Sequence, residues 1–99
     1  MIGWTTVSTS VDAERLAEAI IDNKLAVCVQ IEGPLKSIYS WKGNIEKSEE
    51  WRLMVKFMEP KKEALDEWLA DNHPYETHEW VAVLSDSVSA DYLKWAKNL

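Results

Sequence analysis

The fold is decided by one stretch of sequence, Ala26–Met58, which reads AVCVQIEGPLKSIYSWKGNIEKSEEWRLMVKFM. It opens with the apolar run AVCVQI, becomes apolar again at Ile38–Trp41 and turns at Lys42-Gly43-Asn44. Gly43 and Asn44 readily adopt the positive φ angles that a tight hairpin turn requires. On the return, WRLMVKF alternates Trp, Leu, Val and Phe with Arg, Met and Lys, which is the period-2 pattern of a half-buried strand. The stretch therefore predicts one long β-hairpin.

The return strand of this hairpin is too long for its own domain. A strand from Asn44 to Met58 spans roughly 45–50 Å at about 3.3 Å per residue. A globular domain of about 100 residues has a radius of gyration near 13 Å and is about 30–35 Å across. The excess strand carries unpaired backbone groups and apolar side chains, including Trp41 and Trp51, which we expect another chain to cover.

The residues around the hairpin predict two further strands and three helices. The predicted elements are, in order, a strand Ile2–Ser8, a helix capped by Ser10 and ending near Lys24, a helix from Pro60 to Asn72, a loop His73–Glu79, a strand Glu79–Leu84 and a short helix capped by Ser89. The order βαββαβ plus a terminal helix is the ferredoxin-like arrangement of an α+β domain, with two helices on one face of an antiparallel sheet. The 99 residues form a single domain, 1–99.

Composition and charge narrow the classes of partner. The formal net charge of −6 argues against binding to a nucleic-acid backbone, which requires a basic surface. The single cysteine, Cys28, excludes an internal disulfide and fits a reducing compartment. The opening residues MIGWTTVSTS lack the basic and apolar regions of an export signal, and no apolar run approaches the length of a membrane span. We expect a cytoplasmic protein with neither a nucleic-acid nor a membrane partner.

The two histidines, His73 and His78, lie in one loop together with Glu76 and Glu79. Imidazole and carboxylate together form a ligand set that suits copper or zinc. The alternative is structural: His73 fixes the loop by hydrogen bonding beside Pro74, and His78 is simply exposed.

Cys28 has apolar neighbours on both sides in its predicted strand. Free cysteine is among the most buried residue types, and a thiol in apolar surroundings is a poor nucleophile and a poor ligand. The sequence around Cys28 therefore favours a buried, inert thiol, with metal ligation as the alternative.

Four stretches in order resemble the CutA divalent-cation-tolerance family over essentially the whole chain. Ala26–Ile31 is similar to the A-A-C-V-x-I strand of that family, and Ser37–Ile45, followed by Glu50-Trp51, to its S-x-Y-x-W-x-G-x-I hairpin. His73–Glu79 is similar to H-P-Y-E-x-P-E, with His78 in place of the usual proline, and Tyr92–Trp95 to Y-L-x-W. One such match alone is weak, but four at these spacings are specific.

The resemblance implies a homotrimer in which extended hairpins pair with neighbouring subunits, an assembly like that of the PII signalling proteins. Proteins similar to this one are linked to tolerance of divalent metals, copper above all, and no enzymatic reaction is firmly attached to the family. The implied function is binding of a divalent metal ion of the copper class, with His73, Glu79 and Cys28 as candidate ligands. The alternative is a PII-like signalling or scaffold trimer that binds a small effector or a protein partner in clefts between subunits.

A cleft between subunits also has candidate residues. Trp41, Glu50, Lys56 and Tyr75 can line it together with the histidine loop. Glu50 and Lys56 are an even number of residues apart on the return strand and so face the same side. The alternative for these two is a surface ion pair worth about 0–1 kcal/mol.

Other functional classes lack their sequence signatures. None of the serines lies in the G-x-S-x-G context of a hydrolase nucleophile. The return strand EWRLMVKF lacks the aromatic pattern of RNA-binding domains with the same order of elements. One cysteine excludes a zinc finger. We therefore expect no catalytic activity.

Overall fold

The computed structural model describes residues 1–99 and shows four antiparallel strands with three α-helices. The elements are β1 Ile2–Val7, α1 Ser10–Asp22, β2 Cys28–Trp41, β3 Asn44–Lys56, a 3-10 turn Glu59–Lys61, α2 Lys62–Asn72, β4 Val81–Val83 and α3 Ala90–Lys97. The sheet has the order β2-β3-β1-β4. This is the predicted α+β arrangement with its extended β2–β3 hairpin. None of the helices is both long and apolar enough to cross a membrane.

The core lies between one face of the sheet and the helices α1 and α2. Direct opposites in an antiparallel ladder share a face, and Thr5 pairs with Leu53 while Gly3 pairs with Val55. The buried apolar residues form one cluster: Val7, Ala13, Leu16, Ala17, Ile20, Leu25, Leu53, Val55, Phe57, Leu65 and Leu69. A single shared core therefore holds both halves of the chain together.

The helix boundaries differ slightly from those that the sequence predicts. The N-cap of α1 is Thr9 rather than Ser10, because the Thr9 hydroxyl oxygen accepts the backbone N–H of Asp12 at 3.1 Å. Pro60 lies in the 3-10 turn, so α2 begins two residues later, at Lys62.

Strand β4 is shorter than predicted, with three residues instead of the six of Glu79–Leu84. Its ladder with β1 runs from Trp4–Val81 to Ile2–Val83. Before it, Trp80 packs against the core and donates its indole N–H to the Asp66 carboxylate of α2 at 2.7 Å. Trp80, which was predicted to belong to β4, is thus held by its contact with α2 instead.

The hairpin is as long as its sequence predicts, since the molecule measures 46 Å along its longest axis but only 25 and 23 Å across. The turn is placed one residue earlier than expected. Lys42 and Gly43 have the positive φ angles, 50° and 82°, while Asn44 already pairs with Trp41 in the ladder. Two positive φ angles in a two-residue loop suit the right-handed twist of the flanking strands.

The two tryptophans of the hairpin have different surroundings. Trp51 is half-buried and packs against the core cluster of its own chain. Its ring lies over Gly33, where an added Cβ would be 2.5 Å from Trp51 Cδ1. Trp51 therefore needs no second chain to cover it, contrary to expectation. Trp41 is 46% exposed near the tip.

Candidate functional site

The site is centred on His73, which follows the last turn of α2 and is buried. Its Nε2 lies 2.9 Å from the Thr5 hydroxyl oxygen on β1, and its Nδ1 accepts the backbone N–H of Tyr75 at 3.0 Å. Because Nδ1 accepts a hydrogen bond, the neutral ring carries its proton on Nε2, and this N–H donates a hydrogen bond to the Thr5 hydroxyl oxygen. One ring nitrogen therefore attaches the loop to the sheet, and the other fixes the backbone of the loop itself.

His73 is also held in its neutral form. Burial, and secondly the neighbouring His78, lower the pKa of His73 from 6.5 to about 4. The two imidazoles stack with ring centroids 4.7 Å apart and planes 17° from parallel. His78 is half-buried in this stack, so it is not simply an exposed loop residue.

Tyr75 connects the same loop to the hairpin. Its hydroxyl donates to the Glu50 carboxylate at 2.8 Å, and Glu50 is buried, with 8% of its surface exposed. Burial, and secondly the hydrogen bond to Glu50, raise the pKa of Tyr75 from 10.0 to about 12. At neutral pH this pair is a protonated phenol bonded to a carboxyl group, and His73 is an uncharged imidazole.

The four residues predicted to line a cleft do not lie together in one subunit. Glu50 and Tyr75 are in contact, but Lys56 is six residues from Glu50 along the strand, or about 20 Å. The Lys56 ammonium lies 5.8 Å from the centroid of the Tyr92 ring. The interpretation of Glu50 and Lys56 as a surface ion pair is wrong. Trp41 is near the tip of the hairpin, beyond either contact.

The candidate metal ligands His73, Glu79 and Cys28 also remain apart. Cys28 is half-buried and pairs with Lys56, whereas His73 is bonded to Thr5, which pairs with Leu53. Lys56 and Leu53 are three positions apart along β3, or about 10 Å, and face opposite sides of the sheet. Cys28 and Thr5 are farther apart still, because β2 and β1 flank β3 on opposite sides. No three His, Cys, Asp or Glu side chains of the subunit form a group with the spacing of a metal site. The donor set of one subunit thus does not fit a ready-made metal centre.

The sequence analysis missed one participant in this network, Thr5, and one ion pair elsewhere on the hairpin, Arg52–Glu32. Thr5 is fully buried among apolar residues of the core face, and a polar residue at an inward position of a strand is a signal that it has a partner. Arg52 forms an ion pair across the ladder, donating from Nε to Glu32 at 2.8 Å. The pairing of Glu32 with Arg52 could not be predicted from the sequence, because the β2–β3 ladder shifts register between Glu32 and Leu35.

Comparison with known proteins gives consistent matches over the whole chain. The family model described as CutA1 divalent ion tolerance protein matches residues 1–99. The chain is 35% identical over 98 residues to "Protein CutA 1, chloroplastic" of Oryza sativa, covering 99% of this chain and 55% of that protein. It is 32% identical over 83 residues to "Divalent-cation tolerance protein CutA" of Pectobacterium atrosepticum, covering 84% and 76%.

A solved structure gives the same result. The divalent cation tolerance protein Cut A1 of Thermus thermophilus superposes with a TM-score of 0.90 at 33% identity, covering 95% of this chain and 91% of that one. The chain spans about half to two thirds of the length of the eukaryotic relatives that it matches. By the match over all its residues and the shared fold, this chain belongs to the CutA1 divalent ion tolerance family.

Proposed function

We propose that this protein binds divalent metal ions of the copper and zinc class and acts in metal tolerance. The observation that carries the proposal is the stacked pair His73 and His78, which share one short loop with the carboxylates Glu76 and Glu79. Imidazole and carboxylate are the donors that such ions accept. Membership of a family named for divalent ion tolerance supports it.

In this proposal the metal is a cargo that the loop binds by rearranging. His73 can offer a lone pair only by giving up the hydrogen bond to Thr5 or the one from Tyr75, each worth about 0.5–1.5 kcal/mol. Weak to moderate affinity follows, with Glu79 as the second ligand. Cys28 is at most a secondary participant, since it lies on the other face of the sheet.

We further propose that the subunit works as a homotrimer in the cytoplasm. Support comes from the exposed apolar residues of the hairpin, since Ile38 is 62%, Trp41 46% and Ile45 77% exposed. Side chains of this kind on a long strand pair are usually covered by another chain. A neighbouring hairpin would bring Trp41 beside the Glu50–Tyr75 pair and complete the cleft that one subunit lacks.

The second candidate function is that of a signalling or scaffold trimer without catalysis. The partly buried hydrogen bond between Tyr75 and Glu50 favours it, because such a pair can recognise a small effector or a protein partner at the junction between loop and hairpin.

Calorimetric titration of wild type and His73→Ala with Cu²⁺ and with Zn²⁺ separates the two functions. Metal binding predicts a saturable component at a fixed ratio per subunit that His73→Ala removes. Glu18→Gln is the matched control, since this exposed α1 residue takes no part in the loop. The net charge of −6 attracts cations diffusely, but that attraction is screened by salt and does not saturate. A saturable component that survives in His73→Ala would favour the scaffold function.

A further inference from the structure

A second concave site, remote from the histidine loop, lies where α3 crosses the end of the sheet. It has a volume of about 290 Å³, and ten of its fourteen lining residues are hydrophobic. Ile2 and Phe57 line it from the sheet side, and Leu84, Val88 and Leu93 from the C-terminal segment. We call it the Lys56 groove.

The groove holds one cationic side chain that has no anionic partner within the chain. The ion pairs of the subunit are Arg15–Asp12 and Arg52–Glu32, and neither involves Lys56. The Lys56 ammonium instead lies over the Tyr92 ring, which also lines the groove. Its position fixes one positive charge at the side of a mostly apolar surface.

Other polar groups lie on the same wall. Ser85 and Ser87 line the groove, and hydroxyls can donate a hydrogen bond to an anion. Glu59 is the one carboxylate of the lining, and it is exposed and forms no ion pair with Lys56. An anionic head can therefore approach the ammonium without displacing a carboxylate already bound to it.

We propose that the Lys56 groove binds a small apolar carboxylate, with its carboxylate on the Lys56 ammonium and its hydrocarbon part against Leu84 and Val88. A cavity of about 150 Å³ accepts benzene, so a groove of this size accepts a molecule of roughly ten non-hydrogen atoms. Charge complementarity selects an anionic head over a neutral one, because the Lys56 ammonium is in no ion pair of the subunit. This site does not depend on the proposed metal binding.

Octanoate, which has about ten non-hydrogen atoms, is the probe for titration calorimetry on the full chain. Wild type should bind it saturably with one site per subunit. Lys56→Met keeps the length of the side chain without its charge, and it should bind about fivefold more weakly, the effect of a partly exposed charge pair. Lys47→Met, on the exposed hairpin, is the control and should bind as wild type does.

Two more measurements keep the proposal testable if Lys56→Met folds poorly. Val88→Glu places a carboxylate in the same groove as Lys56, at a position that is 43% exposed, and it should abolish octanoate binding while the circular dichroism spectrum stays unchanged. Octanol, which lacks the charge, should bind wild type and Lys56→Met equally. Absence of saturable octanoate binding to wild type would overturn the proposal, as would equal affinities of Lys56→Met and Lys47→Met. Neither result bears on metal binding by His73, which the Cu²⁺ and Zn²⁺ titrations measure separately.

Discussion

The two ends of the β2–β3 hairpin share one continuous ladder but have opposite surroundings. At the base, Leu53 and Val55 of β3 are fully buried under the helices. At the tip, Ile38 and Ile45 are 62% and 77% exposed, although their strands are paired to the last residue before the turn. Backbone pairing therefore sets the shape of the tip, while packing against helices is confined to the base. An isolated two-stranded hairpin is marginally stable, so the tip depends on the base for its order.

The largest effect that tests this contrast is expected from truncation of the base. Leu53→Ala removes a side chain with no exposed surface and should reduce the free energy of unfolding by about 3 kcal/mol. Ile45→Ala, the matched change at the tip, should stay within about 0.5 kcal/mol in dilute solution. Urea denaturation of both variants measures the difference, and equal losses would mean that tip and base are packed alike.

The next largest effect is a decrease in the free energy of unfolding at acidic pH, caused by His73. Since the pKa of His73 falls from 6.5 to about 4 on folding, the stability due to its neutral form is complete above pH 6.5. It is lost as the pH falls towards 4, by about 3 kcal/mol in total. Chemical denaturation at several pH values should show a steeper decline for wild type than for His73→Gln. Parallel curves would show that His73 does not titrate on unfolding.

A smaller effect is expected where base and tip meet. Gly33→Ala adds a Cβ 2.5 Å from Trp51 Cδ1, so the indole must move off the strand. We expect a loss of about 1–3 kcal/mol, the usual range for overpacking. Gly43→Ala is the comparison, because it has a positive φ but nothing within 4 Å, and should lose only about 1 kcal/mol. Thermal unfolding of the two variants measures both losses. A smaller loss for Gly33→Ala than for Gly43→Ala would mean that the Trp51 ring moves freely.

The smallest effect on a dissociated subunit is expected at the tip itself. Trp41→Asp changes a side chain that is 46% exposed and should alter subunit stability by no more than about 0.5 kcal/mol. At concentrations where the proposed trimer forms, the same variant should lose both assembly and the stability that assembly adds. Light scattering combined with denaturation at two protein concentrations measures both. Light scattering that shows a stable monomer for wild type would contradict the proposed homotrimer.

The sequence predicts the elements of this fold well because periodicity reports burial directly. Leu53, Val55 and Phe57 alternate as expected and are all buried. Boundaries were less predictable, since Thr9 and Ser10 are both good caps and only the geometry of the chain selects Thr9. In the same way, Lys42 takes the positive φ that Asn44 is better suited to, because the ladder continues through the Trp41–Asn44 pair.

The candidate site was predictable in its members but not in its contacts. The loop His73–Glu79 carries the functional side chains, yet the partner of His73 is Thr5, 68 residues away in sequence. Such a pairing depends on the sheet order, which places β1 beside β3 and against the end of α2. Lys56 and Glu50 were assigned to one cleft because they share a strand face, but distance along the strand separates them.

The sheet order has a kinetic consequence. Strands β2 and β3 are neighbours in sequence and close their ladder through a two-residue turn, whereas β1 and β4 pair residues from opposite ends of the chain. Non-local pairings must wait for a long loop to close, so they form late in folding. With only three residues, β4 gains little from its ladder, and α3 follows it in sequence. We therefore expect the segment that completes the Lys56 groove to dock last, and amide hydrogen exchange to find that segment the first to open.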